Sequence, residues 1–469
     1  MRPLNLFVLS ALVAAPAIAQ DVAVATPLAT DTARAEAEAP KKEKKVSQAQ
    51  LVKRIEIQNI RPTDKRGINV FETQKSTEQV PFDGVKLSFG AAFSQTLQGI
   101  RHENAADSVP ISATDPRNAN RLIEIGNGAN LATANLYADA QLAPGIRVAL
   151  TSYLSSRHHQ ETWVKDGYLQ IDALPIDHPL VDRIFQYTTI KAGHFEQNYG
   201  DAHFRRSDNG NGLYNPFVGN LLLDAFTTEI GGEVYLQNKG FLLMGGITSG
   251  ENKGNVTARK SSAPAFYGKA GFDRQISKDV RTRLTGSWYR SSMTPSFSLY
   301  GGDRGGSRYY SVMENVASST TSNFTSGLFN PGFSNDAGTV QINPFVKVRG
   351  LEVFGVIEQG KGRKATETEK RELEHYAADV VYRFGGNESF YLGYRWNTVD
   401  GELRYGTGAT AFTQDVGIDK QAVGFGWFIT PSLLTKVEWM TQKYNDFPTT
   451  DIRSGGKFNG LMIEGAVAF

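Results

Sequence analysis

From Val85 onward, large apolar residues recur at every second position. Val85, Leu87, Phe89, Ala91 and Phe93 share one face of an extended chain, and Lys86, Ser88, Gly90, Ala92 and Ser94 share the other. Successive side chains of a strand point to opposite faces, so one face is apolar and the other small or polar. The same alternation predicts strands over 132–142, 145–155, 163–174, 186–195, 225–236, 240–249, 265–274, 280–291, 341–349, 350–359, 375–384, 388–399, 421–429, 433–442 and 457–469. Many of these run for about ten residues, the length of a tilted membrane-spanning strand rather than of a soluble one.

The connections divide into two kinds. Short ones lie at 143–144, 237–239, 275–279, 385–387 and 430–432, and long polar ones at 98–131, 196–224, 250–264, 292–340, 360–374, 400–420 and 443–456. Short turns on one side and long loops on the other are the habit of outer-membrane barrels. If Val85 starts at the periplasm, every short turn falls on that side. About sixteen strands then return both ends to it, as the even-number rule requires. The apolar patch at 309–313 would break this parity and is placed inside a loop. The fold expected is all-β: a closed antiparallel transmembrane β-barrel of about sixteen strands with a short N-terminal periplasmic extension. Closure follows from the lipid, where an open sheet edge would leave N–H and C=O groups unpaired. Phe241, Trp288, Phe384, Phe390, Trp396, Phe428 and Trp439 sit near strand ends, where interfacial aromatic girdles form.

The first residues change the compartment. Arg2, the apolar run 6–15 and Ala17-Ile18-Ala19 read as a signal peptide over 1–19, too short to span a bilayer as a helix. Residues 20–81 are charged and poor in large apolar side chains, as in Lys41-Lys42-Glu43-Lys44-Lys45, and read as a largely disordered periplasmic tether. Within them 51–60 could form a short strand or a helical turn. The barrel is expected over 82–469.

Composition narrows the class. There is no cysteine, which excludes disulfides and thiolate metal sites. The net charge of +2 and the mean hydropathy of −0.34 speak against a nucleic-acid partner and a helical membrane bundle. Glycine (47 residues) and aromatics (11%) are plentiful, as suits a barrel with a polar lumen.

The last residues, Gly460-Leu461-Met462-Ile463-Glu464-Gly465-Ala466-Val467-Ala468-Phe469, alternate and stop on an aromatic. This resembles the C-terminal assembly signal of outer-membrane proteins. With the strand count and the long third loop, the chain looks like the sixteen-stranded Gram-negative porins. Within them it resembles the phosphate-selective porin O and P group in Lys191-Ala192-Gly193-His194-Phe195 leading into a charged loop, although that group's arginine ladder and lysine cluster cannot be traced here. The resemblance covers about 85–469. It implies that the third loop, 196–224, folds inward and narrows the pore. Asp201, His203, Arg205, Arg206 and Asp208 would then form the constriction, where guanidinium groups favour anions. It also implies an outer-membrane location, lipid and lipopolysaccharide as surroundings, the barrel assembly machinery as a partner through the strand ending at Phe469, and a homotrimer.

Alternation alone supplies a lumen list. Arg147, Lys191, Arg281, Arg283, Arg383, Arg395 and Lys436 point inward, with Lys86, Lys269, Lys347 and Arg349. So do Asp139, Asp172, Glu229, Glu233, Asp273, Glu352, Glu358, Asp379, Glu438 and Glu464. About eleven basic against about ten acidic positions make a poor anion filter as a whole, most of them pairing across strands. Arg281 and Arg283, alternating on one strand, are the best candidates for an unpaired basic track, although paired wall residues are the commoner case. The function expected is a water-filled channel for passive diffusion of small polar or anionic solutes, with no catalytic residue, metal or cofactor. A barrel lipase or protease and a loop-based receptor or adhesin are the alternatives. No Gly-x-Ser-x-Gly, Gly-Lys-Ser/Thr or His-Glu-x-x-His motif supports an enzyme, and the adjacent pair His158-His159 is a weak metal candidate because neighbours in an extended chain point apart.

Overall fold

The computed structural model describes residues 57, 59–73, 75, 82–156, 162–250, 263–292, 299–301, 306–318 and 325–469. The expected signal peptide, the charged run at 31–45 and the pair His158-His159 lie outside the described residues.

One sheet holds seventeen strands, of which Gly128–Ala129 is a two-residue addition; the remaining sixteen form the wall. They are β1 (Lys86–Glu103), β2 (Thr133–Ala143), β3 (Ile146–Ser155), β4 (Trp163–Ile171), β5 (Thr188–Glu196), β6 (Thr228–Asn238), β7 (Phe241–Thr248) and β8 (Ala265–Ser277). Then come β9 (Val280–Ser291), β10 (Asp336–Val348), β11 (Leu351–Arg363), β12 (Arg371–Phe384), β13 (Phe390–Tyr405), β14 (Phe412–Thr430), β15 (Leu433–Asn445) and β16 (Lys457–Ala468). Each pairs antiparallel with the next. The barrel closes where β16 meets β1, from Ala92 opposite Ala468 to Glu103 opposite Lys457. At the seam Phe469 and Ala91 exchange two backbone hydrogen bonds of 2.9 Å.

Alternation sorts the side chains as the closed wall demands. On β1 Phe89 is 72% exposed and Ala92 2%. Leu243, Trp288, Ile342, Phe425 and Trp439 face outward, whereas inward positions carry the charges. Phe428 is a correction: it is buried inward, under Lys65 at 4.8 Å, and Trp427 takes the outer face. The expectation treated closeness to a strand end as outwardness, but the two-residue period decides the face.

The turns cluster at one end of the barrel. Five joints use two residues, among them Lys239-Gly240, where both residues have positive φ (48° and 84°). That mirror-image turn matches the twist of the flanking strands and suits glycine at its second position. Arg349-Gly350 is another two-residue joint, in which Arg349 alone has positive φ (52°) and a side chain 79% exposed. Arg349 therefore leaves the lumen list, because it belongs to a turn and not to a strand. The longer β4–β5 connection contains α1 (Pro179–Phe185), opened by a proline and capped by the His178 ring, which accepts from the Leu180 N–H. Ile57, Asn59 and Ile60 form neither strand nor helix.

Candidate functional site

The lumen is crossed by residues 197–227, which leave β5 and turn into the barrel. A buried backbone must find partners for its N–H and C=O groups, and the wall provides them. The Asn198 N–H donates to Glu233 of β6 (3.0 Å), and that of Asp201 to Asn343 of β10 (2.9 Å). The N–H groups of Val218 and Gly219 donate to Glu438 of β15 (2.8 and 3.0 Å), and that of Leu222 to Asn397 of β13 (2.7 Å). Lys420 caps the Asn220 carbonyl at 2.7 Å, and Lys436 those of Gly212 and Phe217 at 2.9 and 2.8 Å. At Gly210 a Cβ would come within 2.5 Å of the Ala134 backbone, so only glycine permits this approach to β2.

Residues 299–301 and 306–318, from the connection between β9 and β10, pack over this loop. Tyr309 donates to Glu438 (2.6 Å), Arg308 to Glu464 (2.6 Å) and Tyr300 to Glu358 (2.7 Å). Tyr309, Val312 and Met313 are buried there with Phe217, Val218 and Leu222 in one apolar cluster. Periodicity had left that patch without a neighbour.

The five loop residues singled out from sequence do not form one ring. Asp201 is fully buried against β8 and β9. It takes the Arg283 guanidinium in a two-pronged contact (2.8 Å each), Lys269 at 2.9 Å and the Thr285 hydroxyl at 2.8 Å. Burial pushes its carboxyl up, but Arg283 and Lys269 outweigh that and hold it well below the usual range. Arg205 bonds Asn69, lies 3.7 Å from Glu352 and rests over Phe354. Arg206 pairs with Asp224 at 2.7 Å and with Glu196, stacked 3.7 Å over Phe226. Asp208 receives Tyr153 and, at 2.9 Å, Lys165. His203 lies against Phe204; burial first, opposed by Glu196, holds its imidazole well below its ordinary value and so neutral.

The wall cations singled out from sequence are paired. Arg147 meets Asp172, Arg281 meets Asp273 at 2.6 Å, Arg383 meets Glu352 at 2.7 Å, Arg395 meets Asp379 at 2.7 Å and Lys436 meets Glu464 at 2.5 Å. Lys191 is 3.8 Å from Glu233 and sits over the rings of Tyr168 and Phe195. The candidate unpaired track of Arg281 and Arg283 is therefore ruled out, and the commoner case of pairing holds there. Bare charges in a narrow lumen cost too much, and Asp273, Asp201 and Glu72 neutralise them.

Between the loop and the wall strands β2 to β6 a cavity of about 290 Å³ remains. His203 and Asp208 line it, as does Lys191, with Lys165, Asp139, Asp166, Glu196, Tyr137, Tyr168, Tyr214 and Tyr235. Asp201, Arg205 and Arg206 do not. Arg61, Phe71 and Glu72, from the segment ahead of β1, also line it. Sequence reasoning allowed residues 20–81 to occlude the pore in part but singled out none of these three. Their one signal was a large aromatic beside an acid, Phe71-Glu72, in an otherwise polar stretch.

No family model and no curated protein matches the chain. Solved structures do. An anion-selective porin from Comamonas acidovorans superposes with a TM-score of 0.50 at 9% identity, covering 82% of this chain and 100% of that one. OprB of Pseudomonas putida in its high-pH structure gives 0.50 at 10%, covering 82% and 94%. At such identities the likeness is one of fold. The chain adopts the closed sixteen-stranded barrel fold of outer-membrane porins.

Proposed function

We propose that this chain is a channel of the outer membrane for passive diffusion of small polar solutes, and that they travel through the off-centre cavity beside β2 to β6. The observation that carries this reading is the polarity of the closed wall: apolar side chains outside, paired charges inside, and a polar cavity left between wall and loop. The anionic half of the expectation gains no support from the lining. Arg61, Lys165 and Lys191 face Glu72, Asp139, Asp166, Glu196 and Asp208 there, so carboxylates outnumber cations.

Under the same reading residues 1–19 are an export signal, lipid and lipopolysaccharide surround the outer face, the strand ending at Phe469 engages the assembly machinery, and the barrel assembles as a homotrimer. The test is purified protein in planar bilayers. Ohmic conductance steps and a reversal potential near zero or favouring cations in a salt gradient are expected. Silent membranes at high protein load would end the channel reading.

A further inference from the structure

The segment that precedes β1 spans the turn-end mouth of the lumen. At one side Lys65 bonds the carbonyls of Asn387 and Glu388 in the β12–β13 turn, the latter at 2.8 Å, and its backbone N–H donates to Pro431 at 2.9 Å. Midway, Asn69 donates to Glu352 of β11 at 2.7 Å and its carbonyl accepts from Arg281 of β9 at 2.9 Å. Phe71, 2% exposed, stands edge-on to Phe204 of the loop and Phe345 of β10. At the far side Lys75 donates to the carbonyls of Asp172 and Thr188, the latter at 2.6 Å, beside β4 and β5.

Glu72 shows why this is more than a strap. Strands β8 and β9 bury Lys269 and Arg283 side by side. Asp201 of the loop brings one carboxylate, and Asp273 is shared with Arg281. Glu72 brings the second, 3.0 Å from Lys269 and 2.6 Å from Arg283, and it also accepts from Asn198 at 2.9 Å. A buried cation without its counter-charge is strongly unfavourable. The wall therefore reaches charge balance when the segment is seated. The segment also meets the loop directly: Arg61 donates to the Phe204 carbonyl at 2.8 Å and stacks 3.7 Å over Tyr214, whose hydroxyl donates to the Pro62 carbonyl at 2.6 Å.

We propose that residues 59–73, with Lys75, are a fixed internal part of the channel, a second constriction on the turn side of the loop, in which Arg61, Phe71 and Glu72 help to set which solutes pass. This rests on the channel reading above and goes beyond it, because it assigns a filter to a stretch outside the barrel wall.

The chain has no cysteine, so one engineered disulfide is unambiguous. The 2.9 Å bond from the Lys65 N–H to the Pro431 carbonyl keeps the two backbones adjacent, as a disulfide there requires. Lys65→Cys with Pro431→Cys, once oxidised, is expected to conduct as the unmodified protein does, because the disulfide takes over the anchoring by Lys65. A lower conductance in the oxidised form than in the unmodified protein would show that the segment swings out during conduction and would overturn a fixed filter. Deletion of residues 57–75 is expected to raise unit conductance about twofold or more and to admit larger sugars in liposome swelling, because the passage widens. Unchanged conductance and size cut-off would overturn the proposal. If the deletion does not give a folded, heat-modifiable barrel, the full-length Arg61→Ala/Phe71→Ala variant carries the test, with the same rise in cut-off expected and an unchanged cut-off refuting it. Silence of the unmodified protein ends the channel reading itself. A conducting protein that is indifferent to these changes ends the filter alone.

Discussion

Asp201→Ala tests how the loop is held. The carboxylate is fully buried and receives three side chains: both prongs of Arg283, Lys269 and Thr285. Removing one partner of a buried ion pair costs about 3–5 kcal/mol, mainly because the opposite charge is stranded. Here the stranding is partial, since Glu72 stays 3.0 Å from Lys269 and 2.6 Å from Arg283. The lower figure applies, about 3 kcal/mol, which shifts the balance between docked and undocked loop by roughly a hundredfold. In single-channel records that shift is read as the frequency of upward current excursions from the main level. The barrel should stay folded, because no wall strand loses a backbone bond. Thr285→Val is the graded control. It removes one neutral hydroxyl from a charged acceptor, worth about 1.5–3 kcal/mol, and should raise the frequency less. Asp201→Ala combined with Glu72→Ala should depart from additivity, since both carboxylates serve the same two cations. A variant whose main level and excursion frequency match the parent protein would refute the claim that this cluster anchors the loop.

Four further outcomes are expected. Arg205→Ala with Arg206→Ala should move the reversal potential toward cations, since Glu196, which lines the cavity, loses Arg206; no shift would sink the electrostatic role given to the loop. Glu72→Gln should move it the opposite way, leaving Lys269 and Arg283 one carboxylate short, and a shift toward cations would contradict that charge count. Ile342→Arg puts a charge on the outward face in mid-strand and should cost about 2–4 kcal/mol in urea titrations of the lipid-embedded barrel, a loss that an inward-facing position would not show. Because the Asp201 carboxyl is held below its unfolded value near 4, its contribution is complete above that value and lost only as pH falls through the lower, folded one. Excursion frequency should therefore stay flat from pH 7 to about pH 4.5, and a rise by pH 5 would show that the pairing is weaker than described.

The strands were legible because lipid enforces one rule along the whole wall. Where that rule lapses, the reading stopped short. β13 was expected to end at Val399 and β14 to start at Gln421, yet pairing continues to Tyr405 opposite Phe412. In that extension the outer face carries Asp400, Asp415 and Asp419, and Asp419 accepts from Thr398 and Asn445 at 2.8 Å. The ladder of backbone bonds persists there while the hydropathic alternation ends, so periodicity could not report it.

The lumen was legible in direction and not in pairing. Parity aimed Arg283 and Lys436 inward, but their partners include Asp201, Glu72 and the carbonyls of Gly212 and Phe217, which lie in stretches with no period to place them. This changes how selectivity has to be argued. A count of wall charges treats each as exposed to the solute, whereas most are spent on one another or on the loop. What a solute meets is the residue of that pairing. In the cavity, Lys165 stands among Asp166, Glu196 and Asp208 at 3.3, 2.9 and 2.9 Å, and Lys191 is covered by two aromatic faces. Counting Arg61, that lining sets three cations against Glu72, Asp139, Asp166, Glu196 and Asp208, so on the channel reading its field leans toward carboxylate oxygens and tyrosine hydroxyls. On the channel reading, such a lining is expected to take up polar and weakly cationic solutes more readily than anions, whatever the sum over the whole wall.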